Sequence, residues 1–197
     1  MSHLAFGIIV ASALSAPAAN PPICLAPASA QFASTDPAQA SAAVNELFKS
    51  YLTGPTVSVM PLTARLASQA REEARRASCK FVLFVTAKQE RKRGSGVLGQ
   101  IVGRAAQDAA WGASVEASSA AGRVASRGAV GAARAAADMA ATTRARDELE
   151  LSYSLESENG TVLKQGTAKR KATSDGEDLL TPLVEHAAEE IAAIVVK

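Results

Sequence analysis

A chain of 197 residues has room for one domain of ordinary size plus appendages. Hydrophobic residues make up 48% but aromatics only 4%, the difference being mostly alanine, so a core must be built from the Val, Leu, Ile and Phe outside the alanine tracts. A net charge of +2 is too small to argue by itself for nucleic acid or an anionic membrane surface.

The first thirty residues resemble a secretory signal. Leu4 to Leu14 (LAFGIIVASAL) has the length of the apolar region of an export signal and is too short to span a bilayer. Ala28-Ser29-Ala30 offers a small-x-small site, so residues 1–30 are expected to be a signal peptide cut near Ala30, giving a periplasmic or secreted protein. The segment before the apolar run carries only His3, and a disordered Ala/Pro-rich leader is the alternative. Cleavage after Ala30 removes Cys24 and leaves Cys79 alone, so no internal disulfide is expected and Cys79 is read as buried packing. Pro21-Pro22-Ile23 before Cys24 does not fit a lipid-attachment signal.

Residues 31–93 form the expected first half of an α/β domain. Asp36-Pro37 starts a helix, since Asp caps and Pro fits the first helical position. Val44, Leu47, Phe48 and Tyr51 recur at helical spacing until Gly54-Pro55. Thr56 to Leu62 reads as a strand limited by Pro61. Thr63 is placed as the cap of a helix to about Ala77, with Leu66, Ala70, Ala74 and Ala77 inward and Arg65, Arg71, Glu72, Arg75 and Arg76 outward. Lys80 to Ala87 is a continuous apolar run, as in a central strand covered on both faces. The two strands and their helix make one strand–helix–strand unit; if the strands pair in parallel, the crossover is expected to be right-handed.

Residues 94–146 are an Ala/Gly-rich insert, expected to be helical. Leu98, Ile101, Val102, Ala105 and Ala109 share a helical face, and Gly122, Gly128 and Gly131 divide the stretch into two helices folded back on each other. Gly99-x-x-x-Gly103 permits close helix approach. Charges at Arg104, Asp108, Glu116, Arg123, Arg127 and Arg134 leave no uncharged window long enough for a membrane span, so membrane association is disfavoured.

Residues 147–197 form the second half. Leu149, Leu151, Tyr153 and Leu155 alternate with polar residues as in a half-exposed strand. Asn159-Gly160 marks a hairpin turn, and Thr161 to Lys169 is the return arm, with Gly166 as a bulge or bend. Ser174-x-x-Glu177 reads as a capping box before a last helix faced by Leu180, Leu183, Val184, Ala187, Ile191, Ile194 and Val195. Pro182 marks a kink or a restart with Thr181 as the cap.

The fold class is thus α/β (α+β): a small mixed sheet with helices packed on it, a βαβ unit, the insert, a β-hairpin and a C-terminal helix. VSVMPL at 57–62, CKFVLFVTA at 79–87 and the hairpin at 149–169 resemble the periplasmic α/β domain of the curli secretion channel, the TolB amino-terminal domain and the penicillin-binding-protein activators. That resemblance implies an envelope protein that binds or assembles. The insert lacks the alternation of the curli channel's membrane hairpins, so that role is not carried over.

No catalytic constellation is present. His186 among Glu185, Glu189 and Glu190 has no second His or Cys to complete a metal set. Gly94, Gly96 and Gly99 fit G-x-G-x-x-G, but no strand with an acidic residue follows, and the Lys-Ser/Thr of a phosphate loop is missing. No enzyme activity, metal or cofactor is expected. Candidate partner-docking residues are Arg123, Arg127 and Arg134 on one insert face, with Lys88, Arg91, Lys92, Arg93 and Lys169, Arg170, Lys171 joining at the sheet rim if their strands are neighbours. A solvated face is the plainer reading of each. No aromatics interleave with these charges, so single-stranded nucleic acid is a poor partner. The expected function is a non-catalytic exported envelope module that binds an envelope protein or its own copies. A membrane-associated assembly or pore component using the insert is the alternative.

Overall fold

The computed structural model describes residues 22–33, 35–91 and 128–196. Six strands form one mixed, open sheet: β1 (Ile23–Leu25), β2 (Ser29–Gln31), β3 (Val59–Pro61), β4 (Phe81–Glu90), β5 (Glu148–Ser157) and β6 (Val162–Lys171). The order is β3-β1-β4-β5-β6, with β2 beside the far half of β4. The strands β1, β2, β3 and β4 pair in parallel, and β4–β5–β6 continue as an antiparallel meander.

This topology corrects the expected start of the domain. Ile23–Leu25 lies between β3 and β4, and all three of its residues are buried. The strands around 59 and 81 do not pair directly, because β1 lies between them and pairs in parallel with both. A chain cut after Ala30 would lose β1, most of β2 and the only described partner of β3. The boundary placed at Ala30 therefore disagrees with the sheet. Cys24 and Cys79 form a disulfide, and both are buried, so the expectation of a lone packing thiol is also corrected.

The pleat sorts the side chains into two cores. On the inner face, Ile23, Leu25, Phe81, Leu83, Val85, Leu149, Leu151, Tyr153 and Leu155 join one cluster with three helices: α1 (Pro37–Leu52), α3 (Gly128–Thr142) and α4 (Leu180–Val195). On the outer face, Cys24, Ala26, Val82 and Cys79 pack with Ala70 and Ala74 of α2 (Ala67–Arg76). Successive residues of β1 and β4 alternate between the clusters, as strand geometry demands.

Local chemistry explains the boundaries. Asp36 Oδ1 accepts from Ala38 N at 2.9 Å and Gln39 N at 3.2 Å, capping α1 as the sequence indicates. Thr63 does not cap α2. Its amide and hydroxyl, with Ala64 N, bind the Glu73 carboxylate instead, and Leu66 is exposed rather than inward. These bonds hold the Glu73 carboxyl below its ordinary pKa. At the other end of α2, Ser78 takes φ +57°, Cys79 N bonds Ala74 O at 2.9 Å and Ser78 N bonds Arg75 O at 3.1 Å. That left-handed stop aims Cys79 back under the sheet towards Cys24.

The Ser174-x-x-Glu177 motif does not cap the last helix. Glu177 closes a turn onto Thr173 and Ser174, and Asp178 Oδ1 takes the amides of Leu180 and Thr181, both at 3.0 Å. Pro182 lies in the first turn of α4, where a missing N–H leaves no bond unmade. The bulge falls between Leu155 and Glu156 opposite Val162–Lys164, not at Gly166.

The last part of the expected insert belongs to the domain. Ala136 and Met139 of α3 are buried in the inner core, and α3 packs on α1. Residues 98–127, including the expected first insert helix and Gly122, lie outside the described residues.

Candidate partner-docking surface

Helix α2 covers only one side of the outer face. Its limit is marked by Arg71, whose guanidinium makes two bonds to Glu156 (2.7 and 3.0 Å) and lies 5.3 Å from the centre of the Phe84 ring. Past that point three strands present side chains with no helix over them among the described residues. The cross-strand rows are Phe84–Ser154–Gln165, Thr86–Ser152–Thr167, Lys88–Glu150–Lys169 and Glu90–Glu148–Lys171.

The surface is shallow and polar. Phe84, Thr86, Ser152, Ser154, Gln165 and Thr167 line a depression across β4–β6. Ser152 and Thr167 share a hydroxyl–hydroxyl bond of 3.0 Å. Lys88 meets Glu90 at 3.0 Å and Lys169 meets Glu150 at 2.8 Å. The hydrogen bond to Lys88 holds the Glu90 carboxyl below its ordinary pKa, and the bond to Glu150 raises the Lys169 ammonium. β6 is the outer strand of the sheet, and Val162 and Leu163 at its start are 48% and 42% exposed. An edge of this kind offers unpaired backbone groups to another chain, and its lysines limit indiscriminate pairing.

The expected basic rim is not assembled. β5 lies between β4 and β6, so Glu148 and Glu150 stand between Lys88 and Lys169–Lys171. Lys169 and Arg170 meet Glu150 and Glu177, the latter at 3.6 Å, while Lys171 is exposed at the end of β6. Arg134 is exposed on α3. Lys92, Arg93, Arg123 and Arg127 lie outside the described residues.

Arg91 has a different position from the one expected. It bonds Thr142 O at 3.1 Å and approaches Asp147 Oδ2 at 3.6 Å, while Asp147 Oδ2 also accepts from Gln89 Nε2 at 3.1 Å and Arg144 N at 3.0 Å. Asp147 is fully buried. The group ties both ends of the β4–β5 connection together beneath α3. The sequence signal for it was slight: a polar Gln89 at an inward position of a strand, and an Asp directly before a strand.

A third grouping sits under the inner face of β6. The Tyr153 hydroxyl donates to Glu190 Oε2, and Lys164 reaches Glu190 Oε1 at 3.3 Å. Burial first, then Glu190, push the Tyr153 hydroxyl above its ordinary pKa. His186 is exposed beside Glu185 and Glu189, and among the described residues no group of three metal-ligating side chains occurs. Among the same residues no helix is long and apolar enough to cross a membrane.

No family model and no curated protein matches the chain. Among solved structures, the chain is similar to a PelC variant dodecamer from Paraburkholderia phytofirmans, with a TM-score of 0.48, 13% identity and coverage of 91% of each chain. A second PelC dodecamer from that organism aligns with a TM-score of 0.47 at 12% identity over 88% of this chain and 85% of that one. A neuraminyllactose-binding hemagglutinin homolog from Helicobacter pylori aligns with a TM-score of 0.38 at 8% identity over 96% and 92%. These are different proteins from the curli channel, TolB and activator group.

Proposed function

We propose that the chain is an exported, non-catalytic envelope module whose uncovered sheet surface binds a protein partner or further copies of itself. The observation that carries this reading is the half-covered outer face: among the described residues the cover given by α2 ends at the Arg71–Glu156 pair, and β6 is the outer strand of the sheet. Protein partners use such faces and edges through backbone pairing and cross-strand side-chain rows. The buried Cys24–Cys79 disulfide supports an oxidising compartment, hence export. Kinship with the curli channel, TolB and activator group belongs to the same proposal and rests on the strand and hairpin motifs.

The non-catalytic part of the reading rests on the character of the surface. Ser152 pairs with Thr167, Lys88 with Glu90 and Lys169 with Glu150, and the depression is open rather than a cleft that shields a reacting group from water.

Light scattering on size-exclusion peaks, without detergent, tests the proposal on a chain that retains everything from Ile23 onward. A defined oligomer that dissociates on Thr167→Lys or Ser152→Lys supports self-association through the face. A monomer that crosslinks in the envelope to another protein, and loses it with the same substitutions, supports a separate partner. A monomer with no crosslinked partner, or turnover in a substrate screen, overturns the reading.

A further inference from the structure

We infer that β6 takes an added antiparallel strand from a partner protein, an extended segment that is acidic at the end beside Lys169 and Lys171 and apolar at the end beside Val162 and Leu163. The inference rests on the surface reading above and names the chemistry of the partner.

The two ends of the strand order differ in what they can accept. β3, at one end, has three residues and finishes in Pro61, which has no N–H to donate to a further strand. β6, at the other end, has ten residues without proline, none of them buried, and among the described residues it pairs on one side only, with β5. A strand in that position turns half of its backbone N–H and C=O groups away from the sheet. β4, β5 and β6 already form an antiparallel meander, and a further antiparallel strand continues it with the same bond geometry.

The cross-strand rows fix the side chains of the addition. Along Lys88–Glu150–Lys169 the charge alternates in sign, with Lys169 at 2.8 Å from Glu150, so an acid is the next member of that row. Glu90–Glu148–Lys171 also ends in a cation, and Lys171 is exposed. Thr86–Ser152–Thr167 carries a hydroxyl–hydroxyl bond of 3.0 Å, which a further Ser or Thr extends. Val162 and Leu163, 48% and 42% exposed, gain cover from apolar residues. Lys164 and Arg170 point to the inner side and already meet Glu190 and Glu177, so acids are needed on the outer side alone.

A second copy is the poorer occupant. β6 contains Lys164, Lys169, Arg170 and Lys171 and no acid, so a β6–β6 pair sets two cationic strands side by side. Over the full length of the strand it places Lys164 opposite Lys169, and like charges directly opposite destabilise a pair.

The test is fluorescence polarisation of a labelled, blocked peptide, Glu-Thr-Glu-Val-Thr-Val-Thr-Thr-Val-Val, titrated with the full chain. Binding should be saturable and should weaken about tenfold when Lys169→Glu and Lys171→Glu are combined, the effect of reversing two cross-strand ion pairs. The same variant should bind a peptide with Lys in both Glu positions. N-methylation of alternate peptide amides tests the pairing on the wild-type chain alone: one phase should abolish binding and the other spare it, because an edge strand bonds through every second residue. Equal binding of the acidic and basic peptides by the wild-type chain, or equal loss in both methylated phases, would overturn the added strand. Absence of peptide binding would overturn this partner while the surface reading stands, provided that an envelope crosslink or a defined oligomer is still lost on Thr167→Lys. Absence of peptide binding, crosslink and oligomer together would overturn both.

Discussion

Tyr153 on β5 lies against Gly166 on β6 so closely that a Cβ on the glycine would sit 2.6 Å from Tyr153 Cε1. The two residues are direct cross-strand partners on the inner face. The ring covers the glycine, and its hydroxyl continues on to Glu190 of α4. Gly166 is therefore required for space rather than for a bulge. Gly166→Ala should destabilise by about 1–3 kcal/mol, the usual range for overpacking, and Gly166→Val by more. Urea unfolding followed by circular dichroism measures both. Unchanged midpoints would show that the ring is free to move.

The Tyr153–Glu190 bond also makes a pH prediction. The bonds from Tyr153 and then Lys164 hold the Glu190 carboxyl below its ordinary value of 4.5. A lowered carboxylate pKa contributes stability that is present above the unfolded value and is lost as pH falls through the folded one. Tyr153→Phe removes the donor, so the stability gap between wild type and variant should be largest at neutral pH and shrink below the carboxylate range. On the alkaline side the Tyr153 hydroxyl is raised, so its contribution is complete below the ordinary tyrosine value of 10.0 and declines as pH rises beyond it. Thermal melts of both proteins across pH read each limb.

The disulfide closes a sequence separation of 55 residues. Chain-entropy scaling for a loop of that size gives about 4 kcal/mol of stabilisation. Reduction, or Cys24→Ala with Cys79→Ala, should lower the urea midpoint accordingly. A midpoint that does not respond to reductant would mean that the two thiols are not joined in solution.

Arg91 and Lys88 were both candidates for docking, and the structure separates them. Arg91→Ala leaves buried Asp147 short of a partner and should cost about 1–3 kcal/mol. Lys88 is exposed, with a surface partner in Glu90, and Lys88→Ala should change stability by no more than about 0.5 kcal/mol. Asp147→Ala should cost more than Asp147→Asn, because the amide oxygen still accepts from Gln89 and the Arg144 amide. Equal effects of Arg91→Ala and Lys88→Ala would refute the structural assignment of Arg91.

Ser78 holds a positive φ at the stop of α2. A left-handed non-glycine residue carries a cost of roughly 1–2 kcal/mol. Ser78→Gly should recover part of it and raise the melting temperature without altering the fold. A lower melting temperature would show that the Ser78 side chain contributes a contact worth more than the strain.

The sequence by itself determined the elements whose signals are local. Asp36-Pro37 names the start of α1 because a cap and a fixed φ act within one turn. Alternation at Leu149–Leu155 and Asn159-Gly160 name the hairpin, since period two and a positive φ at Gly160 are properties of the chain itself. Only the tertiary structure decided the rest. Ile23-Cys24-Leu25 is a strand because β3 and β4 leave a slot for it; three residues carry no periodicity of their own, and a nearby small-x-small triplet gave them another meaning. The same holds for the docking residues. Whether Lys88 and Lys169 form a patch depends on which strand lies between them, and β5 fills that place with Glu150 because the meander is antiparallel. Sequence spacing carries no record of lateral order in a sheet, so the ion-pair rows, the Arg91–Asp147 contact and the disulfide appear only when the strands are brought side by side.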